Sequence, residues 1–328
     1  MPDRTRNHEC QAHWSGRDVW HGHGLDPADG LHRLSQECLD EIDAALDLLA
    51  RNPLPVLALD PDEFSMPACR AAMAAVRREL DHGRGFVIID RLDPEAMDAG
   101  QMTAVYWLLA RMVGRPVAQK WSDGRLLYDV TDLGRPSGNG VRPDVTNEEQ
   151  SFHTDNSYNL CAPDHVGLLC RQPAMEGGMS RVVSMKAVAN RMAEEHPDLM
   201  GRLYRPYYFD RQREHADGDV RYVANPVLSD DDGALRVRVS RNLIYQGYRL
   251  AGVEVDDESE AALAAWFSIV DDPRMYVEFV FRPGQIQFLN NRAFGHKRTA
   301  FRDWPEDSRK RHLVRVWLRD RGRRFYNG

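Results

Sequence analysis

The chain has 328 residues, room for one large domain or two small ones. Hydrophobic residues make up 42% of it, enough for a substantial core, which excludes disorder over most of its length. With 43 Lys plus Arg against 50 Asp plus Glu, the formal charge is −7 and the pI near 6.0, a balance that argues against a nucleic-acid binder.

Residues 1–30 are polar and rich in His and Gly. His8, Cys10, His13, His21 and His23 invite a metal assignment, but their spacing fits no structural zinc pattern, so the segment reads as a tail ordered in part around Trp14 and Trp20. Over 31–49 the apolar residues Leu31, Leu34, Cys38, Ile42, Leu46 and Leu49 recur at helical spacing and predict a helix with one packed face. Pro53 and Pro55 end that unit, and a second helix is expected over 67–82. Gly83-Arg84-Gly85 then breaks the pattern before the apolar run of 86–90, a buried strand. Pro94 leads into a helix over 99–112, which Gly114-Arg115-Pro116 stops. Residues 31–115 therefore form a helical flank around one early strand.

Beyond Pro116 the chain turns to short strands, at 126–130, 166–170, 181–184, 235–239, 276–281, 286–289 and 312–318. Strands this short, separated by Gly, Pro and Asp turns, indicate a jelly roll, a mainly β core in an α+β chain, rather than an alternating α/β sheet. Helices over 187–195 and 258–269 read as insertions or outer supports, and Arg282-Pro283-Gly284-Gln285 as a turn. The expected organisation is a tail, 1–30, and a single domain, 31–328. Cysteines at 10, 38, 69, 161 and 170, with no Cys-x-x-Cys pair, read as reduced thiols of a cytoplasmic protein. Neither a signal peptide nor a membrane span is expected.

The stretch Ser151-Phe152-His153-Thr154-Asp155-Asn156 carries the first chemical signal. His153 and Asp155 lie two apart on an extended segment, so both point to one face and can grip one metal ion. His296, in Phe294-Gly295-His296, is the candidate third ligand. Two imidazoles and one carboxylate on one face of an octahedral ion leave three positions open, enough for a 2-oxo acid and dioxygen. A zinc hydrolase uses a similar set but needs only a water and a base. Alone, His-x-Asp is usually a surface loop or an ordinary hydrogen-bonded pair; the block from Arg309 to Arg319 raises it. Read as a strand, Arg311, Leu313, Arg315 and Trp317 share one face, and His312, Val314, Val316 and Leu318 the other. Its two arginines stand roughly 13 Å apart, the reach needed for a dicarboxylate whose other end sits on a metal. The planar guanidinium fork binds a carboxylate bidentately and stays charged in a partly dry pocket. An exposed basic edge strand is the plainer alternative.

His153-x-Asp155, His296, Arg311 and Gly177-Gly178-Met179-Ser180 together resemble the taurine dioxygenase (TauD/TfdA) family of Fe(II)- and 2-oxoglutarate-dependent oxygenases, over residues 80 to 320. The resemblance implies a double-stranded β-helix, a cupin-like jelly roll with helices outside. It implies Fe(II) on His153, Asp155 and His296, with 2-oxoglutarate as cosubstrate and O2 as oxidant. Arg311 matches the arginine that anchors the distal carboxylate. Ser180 matches a hydroxyl residue, usually Thr, that touches the cosubstrate. Arg315 matches a second arginine near its iron-side end and the substrate. Ser180 and Met179, where Asp is common, are departures that remove no ligand. Asp155 argues for hydroxylation or desaturation, since halogenating relatives carry a small residue there. Asn156, Arg315, Gln119 and Tyr128 are expected to line the substrate cavity, and the substrate to be a small polar metabolite such as an amino-acid derivative. A nucleic-acid demethylase with the same triad is disfavoured by the acidic balance. A non-catalytic cupin-like metal-binding protein is the third reading. The expected partner is a small molecule, with no nucleic acid and no membrane; a homo-oligomer is allowed but not required.

Overall fold

Three helices open the fold in the computed structural model, which describes residues 13–26, 28–134, 143–231 and 233–328. They are α1 (Gln36–Arg51), α2 (Pro67–His82) and α3 (Ala99–Val113). Ser35 caps α1 by accepting the Cys38 amide at 3.3 Å. The helix expected from residue 31 therefore starts late, and Leu31–His32 instead pairs as a parallel strand with Ile88 and Ile89. Glu41 of α1 accepts the Ala68 and Cys69 amides at 2.8 and 2.9 Å, so one helix supplies the N-terminal acceptors of the next. Asp98 and Gln101 close a capping box on α3.

From Met102 to Ala110 every residue of α3 is buried, the signature of a helix sandwiched on all sides. It lies between α1 and α2 and a sheet face carrying Leu169, Phe288, Val314, Val316 and Leu318. Phe288→Ala would cost about 3–5 kcal/mol there.

That sheet has seven strands. In order they are Leu31–His32, Phe86–Ile89, Ile286–Asn290, His165–Gln172 and His312–Leu318, with Pro116–Val117 and Leu127–Val130 both paired along the far side of the last. A four-stranded sheet runs Tyr276–Phe279, Ser180–Ser184, Phe294–Arg298 and Gln150–His153, all antiparallel. From residue 165 onward the main strands are shared between the two sheets, with Ser180–Ser184 and Tyr276–Phe279 the one consecutive pair in a single sheet, which makes the core a double-stranded β-helix with helices outside. The expected strand over 235–239 is Ala234–Val237, hairpinned with Leu228–Asp231 outside both sheets.

Sequence periodicity missed one further hairpin, Pro206–Asp210 with Tyr222–Pro226, and two helices. Met185–Glu195 is α4 and Pro197–Leu203 is α5; Arg241–Ala251 is α6 and Asp257–Val270 is α7. Only Ile244, Gly247 and Tyr248 of α6 are buried, so its apolar stripe is too thin to stand out. Gly247 is required where α6 crosses the hairpin, since a Cβ there would lie 2.5 Å from the Tyr208 carbonyl.

Part of the segment read as a tail is strapped to the smaller sheet. Trp20 stacks on Phe294 at 5.9 Å and donates its indole N–H to the Arg84 carbonyl at 3.0 Å. Ser184 Oγ donates to the Asp18 carbonyl at 2.6 Å. His8 and Cys10 lie outside the described residues, and His13, His21 and His23 join no metal-binding cluster among those described. Cys38, Cys69, Cys161 and Cys170 are free, and no helix among the described residues is long and apolar enough to cross a membrane.

Candidate metal centre and cavity

His153 ends the strand Gln150–His153, and its direct cross-strand partner is His296. Antiparallel register alone thus brings together two imidazoles remote in sequence, with ring centroids 4.2 Å apart. Asp155 arrives differently. Extended backbone stops before it, contrary to the single extended segment expected, and Asp155 begins a turn. Asn291 fixes that turn, accepting the Asp155 amide at 2.7 Å and donating back to the Asp155 carbonyl at 3.0 Å. Trp317 Nε1–H donates to Asp155 Oδ2 at 2.7 Å. Asp155 Oδ1 is left 3.4 Å from His153 Nε2 and 3.7 Å from His296 Nε2. One ligand atom from each residue lies within 4.8 Å of the others, so the three could hold a single ion.

Protonation fits that use. His153 Nδ1 sits 2.9 Å from the Ser151 carbonyl, which holds the proton there and leaves a lone pair on Nε2, where the Gln150 amide donates at 3.0 Å. Burial, and then His153, push the His296 pKa down to about 3, so its ring is neutral at physiological pH. His296 Nδ1 is buried with no hydrogen-bond partner among the described residues. Burial alone would raise the Asp155 carboxyl, but Arg315 and the two imidazoles outweigh it and hold Asp155 well below the usual carboxylate range. Neutral imidazoles and an ionised carboxylate are the states a divalent ion requires, and this N,N,O donor set suits Fe(II).

Arg315 stands beside the carboxylate, its Nη1 3.3 Å from Asp155 Oδ2 and its Nη2 3.5 Å from Asp144 Oδ2. Gln119 and Tyr128, expected on the cavity wall, sit behind this arginine instead. Gln119 Oε1 accepts Arg315 Nε–H at 2.9 Å while its amide donates to the Arg315 carbonyl at 2.9 Å. Tyr128 is the cross-strand partner of Arg315, and its ring lies 4.9 Å from the guanidinium. Both hold Arg315 in place, and neither lines the cavity.

Arg311 precedes the last strand, ahead of a bulge at His312. It is 4% exposed, packs 5.2 Å from the Phe301 ring, and carries a buried Nη1 with no hydrogen-bond partner among the described residues. Burial pushes its pKa down to about 10. The paired glycines make room beside it: a Cβ on Gly178 would sit 3.4 Å from Arg311 Nε, and one on Gly177, at φ +74°, 2.3 Å from the Ala300 carbonyl. A second buried guanidinium, Arg298, was not anticipated. It lies two residues past His296 on the same strand and so on the same face. Burial, and then repulsion from Arg311, push it down to about 9. Two buried cations that repel each other favour an anion bound against them. Ser180 is the cross-strand partner of Arg298, and its hydroxyl donates to Gln287 Oε1 at 3.2 Å.

The family described as taurine catabolism dioxygenase TauD, TfdA family, matches residues 52–317. The chain belongs to the TauD/TfdA family. It is 27% identical over 318 residues to FR-33289 synthase of Streptomyces rubellomurinus (strain ATCC 31215), covering 95% of this chain and 92% of that protein. It is 25% identical over 302 residues to the taurine hydroxylase-like protein SAT17 of Stachybotrys chartarum, covering 86% and 73%. Asparagine oxygenase, solved with Fe(II), 2S,3S-3-hydroxyasparagine and succinate, superposes with a TM-score of 0.65 at 21% identity over 88% of this chain and 93% of that one. The oxygenase OrfP, solved with Fe and alpha-ketoglutaric acid, gives 0.65 at 16% identity over 89% and 94%. These structures share the fold. As a TauD/TfdA-family protein, the chain is a non-heme Fe(II)- and 2-oxoglutarate-dependent dioxygenase.

The open side of this TauD/TfdA enzyme is a cavity of about 1030 Å³. Its floor holds the triad residues His153 and Asp155 with Asn156, Arg315 and Trp317. Asn156, at φ +56°, accepts the Tyr326 hydroxyl on Oδ1 at 2.9 Å. Its roof is α6 and the 211–221 loop. Arg241, Asn242, Tyr245, Gln246 and Arg249 of α6 all line the cavity, a spacing that keeps them on one helix face. Their sequence spacing alone gives no sign of this placement. Arg311, Arg298 and Ser180 lie outside the lining of this open space.

Proposed function

We propose that His153, Asp155 and His296 hold Fe(II), and that the enzyme hydroxylates or desaturates an unactivated C–H bond of a small polar metabolite, an amino-acid derivative. The observation that carries this reading is the cross-strand pairing of His153 with His296 beside the ionised Asp155. Fe(II) and 2-oxoglutarate supply the oxidising chemistry with O2, the cosubstrate leaving as succinate and CO2. Arg311, with Ser180 and Arg298 near it, takes the distal carboxylate; its unpartnered buried Nη1 supports that role. Trp317 and Arg315 keep Asp155 ionised and aimed at the ion. Asn156 and Arg315 face the substrate from the floor. The amino-acid reading draws on asparagine oxygenase, solved with hydroxyasparagine, and OrfP, solved with (3S)-hydroxy-L-Arg.

The net charge of −7 supports a small-molecule substrate over nucleic acid. Ligands from one chain suffice, so the site needs no second copy. We read residues 31–328 as one domain, because the larger sheet joins strands from residue 31 to residue 318. Four free cysteines support a cytoplasmic setting.

Anaerobic addition of Fe(II) and 2-oxoglutarate should produce a weak visible charge-transfer band. Aerobic succinate release is then screened across amino acids, betaines, sulfonates and phosphonates, with stimulation expected from amino-acid derivatives. Absence of the band, or of stimulation by any amino-acid derivative, would overturn the reading.

A further inference from the structure

The roof loop between Asp210 and Tyr222 is held in a costly shape. Gln212 and Arg213 are consecutive non-glycine residues at φ +50° and +60°, a region such residues rarely occupy. Local bonds impose it: Asp210 Oδ1 accepts the Gln212 amide at 2.8 Å, and the Glu214 amide donates to the Arg211 carbonyl at 2.9 Å. Glu214 is itself buried, its Oε2 accepting the Trp121 amide at 2.5 Å and its Oε1 3.5 Å from Lys120 Nζ. A backbone held this way fixes where Gln212 and Arg213 project, and both line the cavity. Arg221, at the far end of the loop, and Arg249 of α6 line it too.

Arg213, Arg221 and Arg249 make no ion pair among the described residues, while most acids around the same cavity are engaged. Asp144 faces Arg315 at 3.5 Å, Glu149 faces Lys297 at 2.6 Å, and Asp210 accepts the Gln212 amide at 2.8 Å. Glu148, exposed, also lines the cavity. Arg241, the fourth roof arginine, has its own partner in Asp271 at 3.6 Å. The roof is therefore left with unbalanced positive charge over a cavity whose floor carboxylate is committed to the triad.

We propose that Arg213, Arg221 and Arg249 form an anion-recognition site at the cavity mouth, which takes a carboxylate, phosphate or phosphonate at the substrate end remote from the oxidised carbon. It rests on the reading of this cavity as the substrate site and adds the chemistry of the substrate's far end. Guanidinium groups suit the task, since their N–H forks match oxyanions bidentately. Their combined field also draws anions toward the opening.

The test is calorimetric titration of the full chain, anaerobic and loaded with Fe(II) and 2-oxoglutarate so that Arg311 is already engaged. The probes are methyl phosphate, methylphosphonate, acetate and uncharged acetamide. Anions should bind and acetamide should not, and the ranking of the three anions identifies the group. Arg213→Ala combined with Arg249→Ala should weaken the preferred anion at least about tenfold, and the corresponding Lys pair should restore much of it. Equal binding to wild type and the Ala pair, or no preference for anions over acetamide, would overturn the proposal. The Fe(II)–2-oxoglutarate band, read in the same samples, separates the two ideas. A band without anion selectivity sinks the roof site alone. Anion selectivity lost in the Ala pair, with no band, supports the roof site and sinks the oxygenase reading.

Discussion

On the cavity floor the groups around the triad are fixed by the sheet and its turns: His296 by cross-strand pairing with His153, His153 by the Ser151 carbonyl, the Asp155 carboxylate by Trp317, the Asp155 backbone by Asn291 and Arg315 by Gln119. On the roof, Arg213, Arg221 and Arg249 are exposed and stand on a loop or an outer helix face. The floor belongs to sheet strands and the turns that join them, where register admits little change; the roof can exchange side chains without disturbing a strand. That division separates the reaction, which needs fixed geometry, from the choice of substrate, which does not.

The sharpest way to break the contrast is Asp155→Ala. It removes the ionised ligand and leaves the Trp317 N–H without its acceptor, so the charge-transfer band and succinate release should both be abolished. Arg311→Ala comes next. Losing a charge-assisted pair worth ~1.5–3 kcal/mol should weaken 2-oxoglutarate about tenfold to a hundredfold, read as a shift in the band's titration midpoint, with Fe(II) affinity unchanged. Trp317→Phe keeps an aromatic side chain but loses the indole N–H; metal titration should show Fe(II) bound about tenfold more weakly, as is usual when a ligand's supporting hydrogen bond is lost. The smallest effect is expected on the roof, where Arg221→Ala should change unfolding stability by no more than about 0.5 kcal/mol in a denaturant titration.

How much of this was legible depends on where each signal lay. Short strands and Gly, Pro and Asp punctuation carried the jelly roll, because each strand crosses the core once and must turn back at its surface. His153, Asp155, His296, Arg311 and Arg315 stood out as unusual residue types at strand spacing. Arg298 could have been found by the same period of two from His296. Trp317 was placed on the metal-facing side, but its bond to Asp155 depends on how two sheets pack, which spacing does not report. Gln119 and Tyr128 were drawn to the wall because they precede the site in sequence; cross-strand pairing turned them toward the back of Arg315. The roof was invisible for a different reason. Its residues are polar on a solvent-facing helix and loop, and polar residues there are ordinary until the fold turns them over a cavity.

The Tyr326 hydroxyl that meets Asn156 ties positions 170 apart in the chain. Translation therefore delivers His153, Asp155 and His296 well before the residue that steadies the turn beside them. The residues beyond the last sheet strand must therefore fold back over the Asp155 turn, where the Asn159 amide also donates to the Tyr326 carbonyl at 3.2 Å and to Asn327 Oδ1 at 2.9 Å. Until they do, Asn156 lacks its brace and the pocket wall beside the ligands is unfinished.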